Sequence, residues 1–191
     1  MNLGGLYVVA PSSPTSAKGL LKSAIRCNDP VVFLQPAARA GELEDVPDGE
    51  VLVPLGIGRI VRPGTHITIV AIGSMVRHAL AASDALSKEG ISVEIVDPQT
   101  LFPLDKEVIL DSLRRTGRLV VVDEARDTCS AASQIAAICA DEGFSALRAP
   151  IRRVTVADMP IAYSPPLEKA QIPDAARIVA AARSVLSEPS A

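Results

Sequence analysis

The side chains able to do covalent or proton-transfer chemistry are few in this 191-residue chain, with two histidines and three cysteines among them. His66 follows the Pro63-Gly64 turn and opens an apolar run, and His78 falls on the outward side of a helical pattern. Neither has an acid or a thiol at the spacing that a catalytic triad or a histidine-based metal site needs. Cys139 lies four residues after Ile135 on one helical face, which makes it a core thiol. Cys129 stands just before a helix start, where a thiolate is favoured, although a small residue in a capping region accounts for it more simply. The odd number of cysteines and the lack of C-x-x-C point to reduced thiols, not to a disulfide frame or a zinc site. There is no G-x-G-x-x-G for a dinucleotide and no G-x-S-x-G nucleophile elbow. What remains is Asp123-Glu124, which closes the aliphatic run Leu119, Val120, Val121, Val122. Carboxylates in that position either begin a loop or sit at the rim where open α/β sheets keep ligands.

The elements that must position these residues are legible from periodicity. A continuous apolar run without alternation predicts a strand buried on both faces at 119–122, and further strands are predicted at 66–72, 93–97 and 151–156. Between them the i, i+3, i+4 spacing predicts helices from Gly73-Ser74 to Lys88, Leu104 to Arg115, Ser130 to Glu142 and Asp174 to Leu186. Gly56 to Val61 predicts a short antiparallel edge strand, and Pro98 to Pro103 a loop. Strands alternating with helices imply a mostly parallel sheet covered on both faces. Ahead of this part, Leu6 to Ala10, the helix bearing Ala17, Leu20, Leu21, Ala24 and Ile25, and Val31 to Leu34 form one β-α-β unit. The Ser12-to-Ser16 loop suits helix capping better than phosphate binding, because Gly19 comes too late for a phosphate loop. Residues 35–53, rich in Pro, Gly and acids, predict a linker or surface loop. Two strands and one helix cannot close a core, so Leu6 to Leu34 are expected to be disordered or to pair with another copy of the chain.

Composition narrows the function classes. The hydrophobic fraction of 48% with only 3% aromatics predicts a large aliphatic core. A formal net charge of −3 with interspersed signs offers no basic stripe for nucleic acid. No apolar run approaches a membrane span and the amino terminus lacks a signal-peptide layout, so a soluble cytoplasmic protein is expected.

Five segments in fixed order carry a family resemblance: VVAPSSPTSAKGLLKSAIRCNDPVVFL, ITIVAIGSMVRHAL, GISVEIVDPQTLFPLD, TGRLVVVDEA and YSPPLEKAQIP. Together they resemble the carboxyl-terminal half of the β subunit of thiamine-diphosphate-dependent 2-oxo acid dehydrogenases of the transketolase-like superfamily. DEARDTCSAASQIAA resembles the acetoin dehydrogenase type, since many pyruvate and branched-chain relatives carry Thr-Gly-Gly-Phe where this chain has Thr128-Cys129-Ser130-Ala131. The resemblance implies an α/β fold in which a transketolase C-terminal-domain-like, mostly parallel five-stranded sheet follows a β-α-β remnant of a pyrimidine-binding domain. The implied division is 1–40 for that remnant, 41–64 for linker and edge strand, and 65–191 for the C-terminal-like domain. It further implies an α2β2 heterotetramer with thiamine diphosphate and magnesium bound in the full assembly only, and docking of the dihydrolipoyl acyltransferase core. Partners would be the α subunit and a second β chain, without nucleic acid or membrane.

The family's activating glutamate has no counterpart here, so the resemblance assigns this chain no catalytic and no cofactor-binding residue. Some relatives hold a structural potassium ion at the helix end that matches Ala24, Ile25, Cys27 and Asp29, mostly through backbone carbonyls. Cys27 stands where Asp is common and Asp29 where Asn is, and Gln35-Pro36-Ala37-Ala38 departs from a frequent Glu-His-Lys. The implied function is therefore assembly and acyltransferase docking within a pyruvate or acetoin dehydrogenase β subunit. The alternative is a free-standing flavodoxin-like interaction or small-ligand module with its ligand near Gly73-Ser74 and Asp123-Glu124.

Overall fold

The computed structural model describes residues 4–36 and 43–188. In chain order the elements are β1 (Tyr7–Val9), α1 (Pro14–Arg26), β2 (Val31–Phe33), β3 (Arg59–Arg62), β4 (Ile67–Ala71), α2 (Met75–Ser87) and β5 (Val93–Asp97). Then follow β6 (Thr100–Phe102), α3 (Lys106–Thr116), β7 (Leu119–Arg126), α4 (Ala131–Glu142), β8 (Arg152–Val156), α5 (Pro165–Gln171) and α6 (Ala175–Ser187). Local chemistry sets several of these boundaries. Ser13 caps α1 reciprocally: its hydroxyl accepts from Ser16 N–H at 3.2 Å and Ser16 Oγ accepts from Ser13 N–H at 2.9 Å. Asp105 and Asp174 cap α3 and α6 through their carboxylates, and Gly117 at φ 71° ends α3 in the left-handed region.

The larger sheet has the order β3-β5-β4-β7-β8, with β3 the antiparallel edge and the other pairings parallel. That is the five-stranded sheet expected from the sequence. Strand alternation divides its side chains between two layers. Ile67, Ile69, Ala71, Ile95, Val120 and Val122 pack with α2 and α6, including Met75, Leu86, Ile178 and Val185. Val70, Val96, Leu119 and Val121 pack on the other face with Ile109, Leu110 and Leu113 of α3 and Ile135 and Cys139 of α4.

Several expectations change on contact with the structure. The 98–103 loop contains β6, which pairs antiparallel with β1 and makes a second sheet of order β2-β1-β6. The β-α-β unit is thus neither disordered nor isolated. Val8 and Ala10 join Leu101, Ile72 and Ala131 in the core of the larger sheet, which takes β1 out of water, while Val32 and Leu34 of the β2 segment stay exposed. Periodicity could not reveal a three-residue strand whose partner lies about ninety positions upstream. β7 runs past Val122 to Arg126, α5 was not anticipated, and His78 is half-buried instead of outward. Residues 43–53 form no helix or strand but strap α1: Glu44 accepts from Thr15 N–H at 2.9 Å, and Lys18 and Lys22 donate to the carbonyls of Pro47 and Gly49. Ala37, Ala38 and the 40/41 division lie outside the described residues.

Two glycines should respond differently to alanine. At Gly64 an added Cβ would lie 2.1 Å from the Val93 carbonyl carbon, backbone that cannot swing aside. At Gly117 it would meet the flexible Arg148 side chain at 2.7 Å and a left-handed backbone. Gly64→Ala should cost the upper end of the roughly 1–3 kcal/mol of overpacking, and Gly117→Ala about 1–2 kcal/mol from its backbone. Urea-unfolding midpoints check the order.

Candidate functional site in the cleft between the sheets

The carboxyl ends of β4 and β7 open onto a cleft of about 900 Å³ whose opposite wall is the smaller sheet. Leu6, Val8, Val32, Leu34 and Leu101 make the wall apolar, while Gly73, Asp123, Glu124 and Ser130 line the rim. Gly73 turns the chain out of β4 at φ 54°, which brings Ser74 over the end of β7. Ser74 Oγ donates to Glu124 Oε2 at 2.5 Å. Asp123 is 4% exposed, and its carboxylate accepts from Ala125 N–H at 3.0 Å and from Ala132 N–H at 3.3 Å in the first turn of α4. Burial pushes its carboxyl above the ordinary range, against the pull of those backbone donors, and the neighbouring Glu124 charge adds to the rise.

This arrangement limits what the cleft can take. Free amides at a helix start attract phosphate, but at α4 the chain's own carboxylate occupies them. The two acidic groups at 123–124 are the charged residues of the lining, so the cleft repels anions and suits apolar or cationic groups. The residues around Gly73-Ser74 and Asp123-Glu124 are brought together at this rim. Cys129 borders the same cleft, exposed and with φ 58°, one residue before the α4 cap Ser130. Cys139 is fully buried with its thiol pushed up to about 11 by burial first and by the Glu142 charge second, which makes it inert.

A second polar cluster locks the two sheets together. Asp97, at the end of β5, is 0% exposed. Ser12 Oγ donates to its Oδ2 at 2.5 Å, Arg59 Nε donates to the same oxygen at 3.1 Å, and Gln99 N–H donates to Oδ1 at 3.1 Å. An Arg59 guanidinium nitrogen also donates to Ser12 Oγ at 3.0 Å. Burial drives the Asp97 carboxyl upward, opposed by the Ser12 hydrogen bond and the Arg59 charge. Sequence reasoning missed this cluster, although its signal resembled that of Asp123: an acid at the carboxyl end of a buried strand.

The proposed metal residues occupy one turn at the end of α1. The Ala24 carbonyl accepts from Cys27 N–H at 3.3 Å, Asp29 N–H donates to Cys27 Sγ at 3.4 Å, and Ile25 is exposed. The last turn of a helix presents carbonyl oxygens that suit a hard cation. Arg26, paired with Glu50, already brings a positive charge there. Among the described residues no three His, Cys, Asp or Glu side chains are grouped to hold a metal.

A family model described as the transketolase C-terminal domain matches residues 56–178. The chain belongs to that family. The match begins just before β3 and ends within α6, so the larger sheet is a transketolase C-terminal domain. The chain is 48% identical over 185 residues to the acetoin:2,6-dichlorophenolindophenol oxidoreductase subunit beta of Cupriavidus necator, covering 97% of this chain and 55% of that one. It is 40% identical over 183 residues to the pyruvate dehydrogenase E1 component subunit beta of Bacillus subtilis, covering 95% and 56%. A solved structure titled a split gene transketolase, inactive beta4 tetramer, superposes with a TM-score of 0.81 at 28% identity over 97% of this chain and 59% of that one. The chain spans about half the length of the curated relatives it matches. No described helix is long and apolar enough to cross a membrane.

Within the transketolase C-terminal domain, Asp97 and Asp123 give stability a defined pH dependence. Both hold their protons to higher pH when folded than in the unfolded chain, where such carboxyls titrate near about 3.9. Their favourable contribution is therefore complete below that value and is lost as pH rises through the raised folded values. Asp97→Asn should flatten this decline relative to wild type, read as urea midpoints between about pH 4 and 7. An unchanged slope would count against the burial of Asp97. Ser12→Ala should cost about 1.5–3 kcal/mol near neutral pH, because a buried carboxylate loses its shortest donor.

Proposed function

We propose that this chain acts as the carboxyl-terminal part of the β subunit of the thiamine-diphosphate-dependent, decarboxylating component of an acetoin or pyruvate dehydrogenase complex. Its work there is subunit assembly and docking of the dihydrolipoyl acyltransferase core, in the cytoplasm, beside an α subunit and a second β chain. The observation that carries this is the pairing of a transketolase C-terminal domain with a clasped three-stranded sheet, in a chain 48% identical to an acetoin oxidoreductase β subunit along 97% of its length. In this reading residues 1–40 end a pyrimidine-binding domain, 41–64 connect, and 65–191 form the C-terminal domain.

The described residues do not suit the cofactor's diphosphate. The acidic rim repels it, and Asp123 already occupies the α4 amides that would bind it. No step is assigned to this chain's side chains through that group, and magnesium with the diphosphate belongs to the α subunit. A potassium ion at the end of α1, on carbonyls of Ala24, Ile25 and Cys27 beside Asp29, completes the proposal as a structural element. The preference for acetoin over pyruvate follows the higher identity to the acetoin-type relative.

Titrating the purified chain with thiamine diphosphate and magnesium in a calorimeter should give no heat of binding. A micromolar dissociation constant would overturn the assignment of the cofactor to other polypeptides. The complex that contains the chain, isolated from its own cells, should reduce 2,6-dichlorophenolindophenol faster with acetoin than with pyruvate, while the chain alone reduces none.

A further inference from the structure

The acidic strap over α1 has the form of a bound peptide. Lys18, Lys22 and Arg26 stand four residues apart and so line one face of the helix. Along that line Lys18 Nζ donates to the Pro47 carbonyl at 2.6 Å and Lys22 Nζ to the Gly49 carbonyl at 3.3 Å, while Arg26 pairs with Glu50. Glu44 closes the other end on the Thr15 N–H in the first turn of α1, where the helix dipole favours a carboxylate. From 44 to 50 an extended chain spans about 20 Å, close to the roughly 16 Å between Thr15 and Arg26 along the helix axis. Past Glu50 the chain turns back and seats Val53 on Gly19, where an added Cβ would lie 2.5 Å from Val53 Cγ2. The Gly56 and Gly58 amides then donate to Thr100 and Asp105, so the downstream end is held independently of the strap's acids. Of residues 44–50 only Val46 is half-buried. Among the described residues Lys18 and Lys22 meet carbonyl oxygens and no carboxylate, which leaves two cations without a paired anion.

We propose that the Lys18, Lys22 and Arg26 stripe of α1 is a docking site for an extended acidic peptide of a partner, and that residues 44–50 occupy it in cis as an autoinhibitory stand-in. The strap's own acids, Glu44, Asp45, Asp48 and Glu50, show the composition that the stripe accepts. A peptide carboxylate offers each lysine a charge-assisted hydrogen bond, stronger than the neutral carbonyl contact that it replaces. The contacts that hold the strap lie at exposed positions, where ion pairs add little stability. Lifting 44–50 is therefore a local opening that leaves both sheets folded. The site involves only α1 and residues 44–53, so its failure leaves the dehydrogenase reading untouched.

Fluorescence anisotropy of a labelled octaglutamate, titrated with the whole protein at low salt, should show saturable binding that weakens as salt rises. Glu44→Gln with Glu50→Gln loosens the strap and should tighten binding about three- to tenfold, because two exposed charge contacts are lost. Glu107→Gln with Asp141→Asn makes the same charge change on α3 and α4 and should leave the affinity as it is. Lys18→Gln with Lys22→Gln should weaken binding more than about tenfold. Glutamine keeps the helix propensity of lysine, and Arg26→Gln alone supplies the same test with a smaller loss. Absence of binding by both the wild type and the Glu44→Gln, Glu50→Gln protein overturns the proposal. So does an equal gain from the control pair, which would reflect net charge alone. A lysine pair that binds as tightly as wild type would place the peptide elsewhere and overturn it too.

Discussion

One buried acid, Asp97, ties three pieces of this structure to a single point. Asp97 sits without exposure where β5 ends, and an ion so placed costs several kcal/mol unless its lone pairs are met. They are met from three directions: the loop before α1 supplies Ser12, β3 supplies Arg59, and the turn into β6 supplies the Gln99 amide. Each donor belongs to a different piece of the architecture. The edge strand of the larger sheet, the start of the smaller sheet's helix and the crossing segment are therefore fixed by one group. Gln99 adopts φ 55° there, an uncommon conformation for a residue with a side chain, and the chain turns back to lay β6 against β1.

That clasp gives the cleft its form. With β6 between them, the smaller sheet stands over the carboxyl ends of β4 and β7, and the space left is bounded by aliphatic side chains on one side and two acids on the other. Asp123 repeats at β7 what Asp97 does at β5: an acid at the end of a buried strand, desolvated, and engaged by backbone amides. At Asp97 the partners come from the loop before α1, from β3 and from the turn into β6, and at Asp123 from the Ala125 amide and the first turn of α4, so one acid joins the sheets and the other anchors a helix.

Much of this was legible in the sequence. The unbroken run at 119–122 announced a strand covered on both faces, 67–71 and 93–97 read as further strands, and the spacing of Ile178, Val179, Ala182 and Val185 announced α6 with its buried face. Gly117 and Asp105 marked the ends of α3 by their chemistry. What could not be read was long-range pairing. Thr100–Phe102 is too short to show a period, and its strand character comes from β1, far upstream. Ser12 read as part of a cap, but Ser13 is the cap and Ser12 reaches Asp97, 85 positions away. Of the rim, Asp123 and Glu124 were found because they interrupt an apolar run, whereas Arg59 gave no such signal beside Arg62 on an edge strand.

The central claim is that this chain works inside a heteromeric dehydrogenase assembly, and native mass spectrometry tests it most directly. The particle would be captured through this chain from its own cells and its constituents then identified by mass and sequence. The account predicts a particle in which the chain's sequence travels with an α-type subunit that carries thiamine diphosphate and magnesium. A self-sufficient 20.0 kDa species, free of any α-type partner and holding a small ligand in the cleft between its sheets, would contradict it.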